Sequence, residues 1–109
     1  MGSIPKSIQQ VLNEYARKIS NQIPVEKVIV FGSYAKDNYS NDSDIDIAIF
    51  SDYFKTMSRV DGIIYLLMQA SDYDIDLEPQ AFTVDDYNNP LGIVEEIIKT
   101  GVELKTKFH

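Results

Sequence analysis

Apolar residues recur along this chain with two different periods, and the places where the period changes mark out its elements. Ile8, Val11, Leu12, Tyr15, Ala16 and Ile19 follow one another at helical spacing, which predicts an amphipathic helix over residues 5–22. Pro5 suits its first turn, and the helix ends before Pro24. Val25 to Phe31 reads as a buried strand that stops at Gly32-Ser33. Residues 33–43 read as a short helix or turn followed by a polar loop rich in Asn, Ser and Asp, and Ile45 to Phe50 as a second strand. Met57, Val60, Ile64 and Leu67 return to helical spacing and predict a helix over residues 55–71 despite Gly62. Tyr73 to Glu78 reads as a third strand, with Asp74, Asp76 and Glu78 on one face and Ile75 and Leu77 on the other. Thr83 is placed to cap a short turn through Asp86. Val94, Ile97 and Ile98 mark a last helix, Gly101 is expected as its left-handed C-terminal cap, and Val102 to Leu104 as a short final strand.

This alternation implies an α/β fold, a small mixed β-sheet packed with helices. The 109 residues fit one domain over residues 1–109 with a single core. Residues that are 44% hydrophobic and 25% charged describe a folded chain, not a disordered one. Cysteine is absent, which removes disulfides, thiolate metal sites and a thiol nucleophile. With no long apolar run and no signal-peptide core at the start, the expectation is a cytoplasmic protein with no membrane partner. A net charge of −7 argues against broad nucleic-acid binding, which depends on Lys and Arg neutralising phosphates. An acidic chain can still hold a nucleotide when Mg²⁺ bridges carboxylate and phosphate. His109 is the only histidine and is the last residue, so histidine catalysis is not expected.

The chemistry concentrates in Phe31-Gly32-Ser33, then ten residues, then Asp44-Ile45-Asp46-Ile47. Alternate residues of a strand share a face, so Asp44 and Asp46 point the same way while Ile45 and Ile47 enter the core. Two like charges side by side repel unless a cation or proton lies between them. A bland alternative is a solvated edge strand. The apolar residues that follow on both parities, Ala48, Ile49 and Phe50, argue instead for a strand buried on both sides. Gly32-Ser33 alone would be an ordinary strand-ending turn. Together with the Asp pair, it reads as a phosphate contact through Ser33 and nearby backbone N–H groups, with Gly32 allowing close approach. Lys36 reads equally well as a phosphate contact or a solvated charge. Tyr34 and Tyr39 flank the turn as packing residues or base-stacking ones.

The residues Gly32-Ser33-Tyr34-Ala35-Lys36 and Ser43-Asp44-Ile45-Asp46-Ile47-Ala48-Ile49 resemble the polymerase-β-like nucleotidyltransferase superfamily, and at this length its minimal nucleotidyltransferases. Asp74-Ile75-Asp76-Leu77-Glu78-Pro79 is a weaker match that extends the resemblance over most of the chain. Relatives usually carry glycine where this chain has Asp37. The resemblance implies a nucleotidyltransferase-type fold, with Asp44 and Asp46 as ligands of two Mg²⁺ ions and Gly32, Ser33 and Lys36 at the nucleotide. Anchored on Pro79, it makes Asp74 the third metal-binding and proton-accepting carboxylate, with Asp76 as the alternative. The implied reaction moves a nucleoside monophosphate from an NTP, with ATP the expected donor, to an acceptor hydroxyl, releasing pyrophosphate. The resemblance also implies a small helical HEPN-type partner that such a domain opposes as an antitoxin. The competing reading is a non-catalytic binding module that neutralises its partner by contact. Oligomeric state stays open.

Overall fold

The computed structural model describes residues 4–36 and 44–104. Its elements run α1 (Lys6–Ser20), β1 (Lys27–Phe31), β2 (Ile45–Phe50), a 3₁₀ turn (Asp52–Thr56), α2 (Arg59–Ala70), β3 (Leu77–Phe82), α3 (Val84–Asn88), α4 (Ile93–Thr100) and β4 (Val102–Glu103). The strands form one sheet in the order β3-β2-β1-β4. β1 is antiparallel to both β2 and β4, whereas β2 and β3 are parallel. This is the mixed, helix-packed sheet expected of the sequence. Among the described residues no helix is long and apolar enough to cross a membrane.

The strand alternation sorts side chains into two cores. Val28, Val30, Ile45, Ile47, Ile49, Leu77 and Ala81 pack on one face against Leu12, Tyr15, Ala16 and Ile19 of α1 and Leu66 and Ala70 of α2. The buried Tyr15 hydroxyl donates to the Leu66 carbonyl at 2.8 Å and ties the two helices together. Burial pushes the Tyr15 hydroxyl pKa upward, so it stays a neutral donor. Ile29, Ala48, Phe50 and Phe82 face the other way, against Val94 and Ile97 of α4. β2 is thus covered on both sides, as its apolar residues on both parities require. Thr83 caps α3 reciprocally: its hydroxyl accepts from the Asp86 N–H at 3.2 Å, and the Asp86 carboxylate accepts from its N–H at 2.9 Å.

Three features depart from the sequence expectation. β3 lies at Leu77–Phe82, not Tyr73–Glu78, and runs through Pro79. The carbonyls of Asp76 and Phe82 accept from Ile45 and Ser51 at 2.8 and 2.9 Å. Every second residue of a parallel strand bonds to its neighbour, so Pro79 falls on the other parity with its nitrogen toward the open sheet edge. A missing N–H costs nothing there.

The helix expected over residues 55–71 is divided. Ser51 caps the 3₁₀ turn and Ser58 caps α2, with Met57 extended between them. Val60, Ile64 and Leu67, the apolar marks of that helix in the sequence, are exposed, while Gly62, Leu66 and Ala70 face the sheet. Gly101 is extended, not left-handed. Glycine is needed there for space, since a Cβ would meet Ile29 Cγ2 at 2.4 Å and the Ile97 carbonyl at 2.5 Å. The loop expected over residues 37–43, with Asp37 and Tyr39, lies outside the described residues.

Gly62 lets α2 sit close to the sheet: a Cβ would come within 2.8 Å of Ala81 Cβ and 3.0 Å of Phe54 Cδ1. Alanine would gain about 1 kcal/mol in helix propensity, but overpacking against backbone-anchored neighbours costs about 1–3 kcal/mol. Gly62→Ala is therefore expected to lower stability by about 1 kcal/mol in urea unfolding. A higher midpoint would show that the helix has slack to move outward.

Candidate active site

β1 ends where its register meets the first acidic strand position, with Phe31 paired to Asp46. Gly32 follows with φ +74°, a conformation costly for any residue with a Cβ. The turn closes through the Lys36 N–H, which donates to the Gly32 carbonyl at 3.1 Å. The second reason for glycine is space. A Cβ on Gly32 would stand 2.2 Å from Asp46 Oδ2. The Gly32 backbone thus lies directly on the Asp46 carboxylate, and the turn and the acid form one local structure.

The parallel pairing of β2 with β3 adds a third carboxylate. Asp46 is the partner of Glu78, and both share strand parity with Phe50 and Phe82 on the α4 side of the sheet. A hydrogen bond with the Asp44 side chain, followed by partial desolvation and the charges of Asp46 and Asp44, raises the Glu78 pKa above its ordinary value. The Asp46 pKa is raised too, first by burial and then by the Asp44 charge. Asp44, Asp46 and Glu78 therefore feel one another, and the shifts of Asp46 and Glu78 are in the direction that eases their mutual repulsion.

Other sequence candidates are placed differently. Asp74 lies three residues before β3 and Asp76 one residue before it. The register Ile45–Leu77 and the Ile45 N–H bond to the Asp76 carbonyl carry the ladder back to Asp76, which stands opposite Asp44, while Asp74 lies beyond the pair. Lys36 reaches Glu96 of α4 at 3.9 Å, with both side chains about half exposed. Ser33 is half-buried in the turn. Tyr34 is buried in the core with α1 and the sheet, as a packing residue would be. Glu78 shared a face with Asp74 and Asp76 in the sequence reading without being singled out. The signal that would have separated it is Pro79, once it is allowed inside an edge strand.

Comparison with known proteins decides the family. Residues 8–108 match the family described as polymerase β, nucleotidyltransferase. The chain belongs to the polymerase β nucleotidyltransferase family. It is 28% identical over 100 residues to "Putative protein adenylyltransferase MJ0141" of Methanocaldococcus jannaschii, covering 89% of this chain and 98% of that one. "Putative protein adenylyltransferase MJ0126" of the same organism is 29% identical over 94 residues, covering 84% and 92%. Among solved structures, a putative nucleotidyltransferase from Sulfolobus solfataricus superposes with TM-score 0.63 at 21% identity, covering 87% of this chain and 77% of that one. A chain of a toxin-antitoxin complex with AMP-PNP superposes with TM-score 0.61 at 20% identity, covering 91% and 73%. The shared fold is nucleotidyltransferase-type, and this chain is a nucleotidyltransferase.

Nucleotidyltransferase chemistry calls for a hard cation beside the phosphates, and the donor set can be tested for one. Among the described residues no group of three Asp, Glu or His side chains is arranged as a ready-made metal cage. The residues nonetheless fit Mg²⁺ in the way that ion usually binds, through one or two carboxylates with water and substrate phosphates completing its shell. Asp44 and Asp46 would supply the carboxylates, and their charges, which raise the Glu78 pKa, would be balanced by a cation there.

The raised Glu78 pKa has a pH signature in metal-free protein. Its proton favours the folded state, so this contribution is fully present below the ordinary value of 4.5 and is lost as pH rises through the raised value. Glu78→Gln removes the ionisation. Thermal melts in EDTA should show variant and wild type differing least at acidic pH, with the variant gaining relative stability toward neutral pH. A difference that is constant with pH, or of opposite sign, would mean that Glu78 ionises freely.

Proposed function

We propose that this nucleotidyltransferase carries out Mg²⁺-dependent transfer of AMP from ATP to a hydroxyl on a partner protein, with pyrophosphate leaving. The observation that carries this reading is the direct apposition of the Gly32 turn and the Asp46 carboxylate, with Asp44 and Glu78 beside it. The relatives' names, protein adenylyltransferase, support AMP as the group moved and protein as the acceptor. The toxin-antitoxin complex with AMP-PNP supports a partner protein of the toxin class, for which a small helical HEPN-type protein is the proposed identity. A cytoplasmic setting belongs to the same reading.

The chain's own groups divide the work. Ser33 and the backbone N–H groups of the Gly32 turn would hold the phosphates, and Gly32 would admit them without a Cβ in the way. Asp44 and Asp46 would hold Mg²⁺, which when bound supplies charge neutralisation to the triphosphate. Glu78, opposite Asp46, would accept the acceptor's proton, with Asp76, opposite Asp44, as the alternative third acid. The raised pKa of Glu78 brings it nearer the range that suits a general base. The acceptor oxygen then bonds to the α-phosphorus as the bond to the β-phosphate oxygen breaks.

Transfer of label from α-labelled ATP to a co-purified partner tests the reading. Asp44→Asn and Asp46→Asn should each lower the rate far more than tenfold, and tenfold is about 1.4 kcal/mol in the barrier. Glu78→Gln should cost more than Asp74→Asn or Asp76→Asn. Wild-type transfer in both Asp variants would sink the metal assignment. No labelling by wild type, with the partner still neutralised, would favour a module that acts by contact. A larger loss in Asp74→Asn would restore the sequence-based choice of third acid.

A further inference from the structure

Helix α2 is apolar almost all the way round. Gly62, Leu66 and Ala70 face the sheet, yet on the opposite side Val60, Ile64, Leu67 and Met68 are 64, 48, 45 and 66% exposed. Their spacing places them on one continuous stripe. No charged residue occurs from Gly62 to Ser71. A contiguous apolar helix face of this kind marks an interaction site.

The charges around the stripe say what fits it. Asp61 flanks it in the first turn, and the segment that leaves its other end carries Asp72, Asp74 and Asp76, all exposed. Asp72 pairs with Lys18. Asp61, Asp74 and Asp76 have no ion pair among the described residues. Arg59, the base at the N-terminal end, is stacked over Phe82 at 4.7 Å. The stripe therefore lies between acids, in a chain of net charge −7. A second copy would bring acidic rim against acidic rim, and an anionic lipid surface would be repelled in the same way.

We propose that α2 docks a partner protein presenting an amphipathic helix whose apolar stripe is flanked by Lys or Arg. The apolar centre supplies the affinity and the acidic rim steers and selects the partner. Asp74, which lies before β3 and beyond the Asp pair, gains a role in this surface. The proposal rests on the reading that the chain works with a partner protein, but not on the transfer chemistry.

The test uses the full chain and two synthetic amphipathic helices with the same leucine stripe, one flanked by lysine and one by glutamate, followed by fluorescence anisotropy. The lysine peptide should bind about tenfold or more tightly than the glutamate peptide, and salt should weaken it. Ile64→Ser with Leu67→Ser should reduce binding about tenfold or more while leaving the melting curve nearly unchanged, because both side chains are exposed. Equal binding of the two peptides, no binding of either, or wild-type affinity in the double variant would overturn the proposal. So would a concentration-dependent dimer in ultracentrifugation that Ile64→Ser abolishes, which would give the face to a second copy. The probes need no nucleotide, so loss of labelling activity and loss of peptide binding report on different claims.

Discussion

The structure turns on the contact between a backbone with no side chain and a carboxylate that has no ion pair among the described residues. Gly32 leaves β1 at φ +74° and passes so close to Asp46 that a single Cβ would overlap its oxygen. That closeness fixes the direction in which the turn leaves the sheet and holds the Asp46 side chain beside the turn's backbone. It depends in turn on the β1–β2 register, since a shift of one residue would send Asp46 to the opposite face and an isoleucine to the turn. Ile45, Ile47 and Ile49 on that opposite face are fully buried or nearly so, and their burial is what holds the register.

The same arrangement is electrostatically uneasy. Asp44, Asp46 and Glu78 meet at the start of two parallel strands, and both shifted pKa values move in the direction of retained protons. A fold tolerates such a cluster when the surrounding structure is strong enough to impose it. Here β2 is covered on both faces, and Tyr15 locks α1 to α2 through a buried hydrogen bond. A cation bound there would balance the cluster, which would couple binding to stability.

The parts legible in the sequence were those with one physical solution. A strand apolar on both parities has to be central, so β2 and the acids at its start followed from Ala48, Ile49 and Phe50 alone. α1 followed from a clean helical stripe and two flanking prolines. β3 did not, because a proline inside a strand is allowed or forbidden according to edge position and parity, and neither is visible in one chain. The acids shifted with it, so that Glu78 stands opposite Asp46 and Asp76 falls just before the strand. The α2 face misled for a different reason. Val60, Ile64 and Leu67 have the spacing of a buried stripe, but close approach to Ala81 and Phe54 needs the smaller side of the helix at Gly62. Gly101 looked like a conformational requirement and is a steric one.

The central claim is that the Gly32 turn and the three carboxylates form one site for a metal-bound nucleotide. Calorimetric titration of Gly32→Ala with ATP and Mg²⁺ tests it most directly, alongside a melting curve to establish that the variant is folded. The added Cβ should push Asp46 away from the turn, so a folded variant should bind Mg-ATP about tenfold or more weakly than wild type, a loss of about 1.4 kcal/mol. A folded variant with wild-type affinity would contradict the account and place the nucleotide elsewhere on the protein.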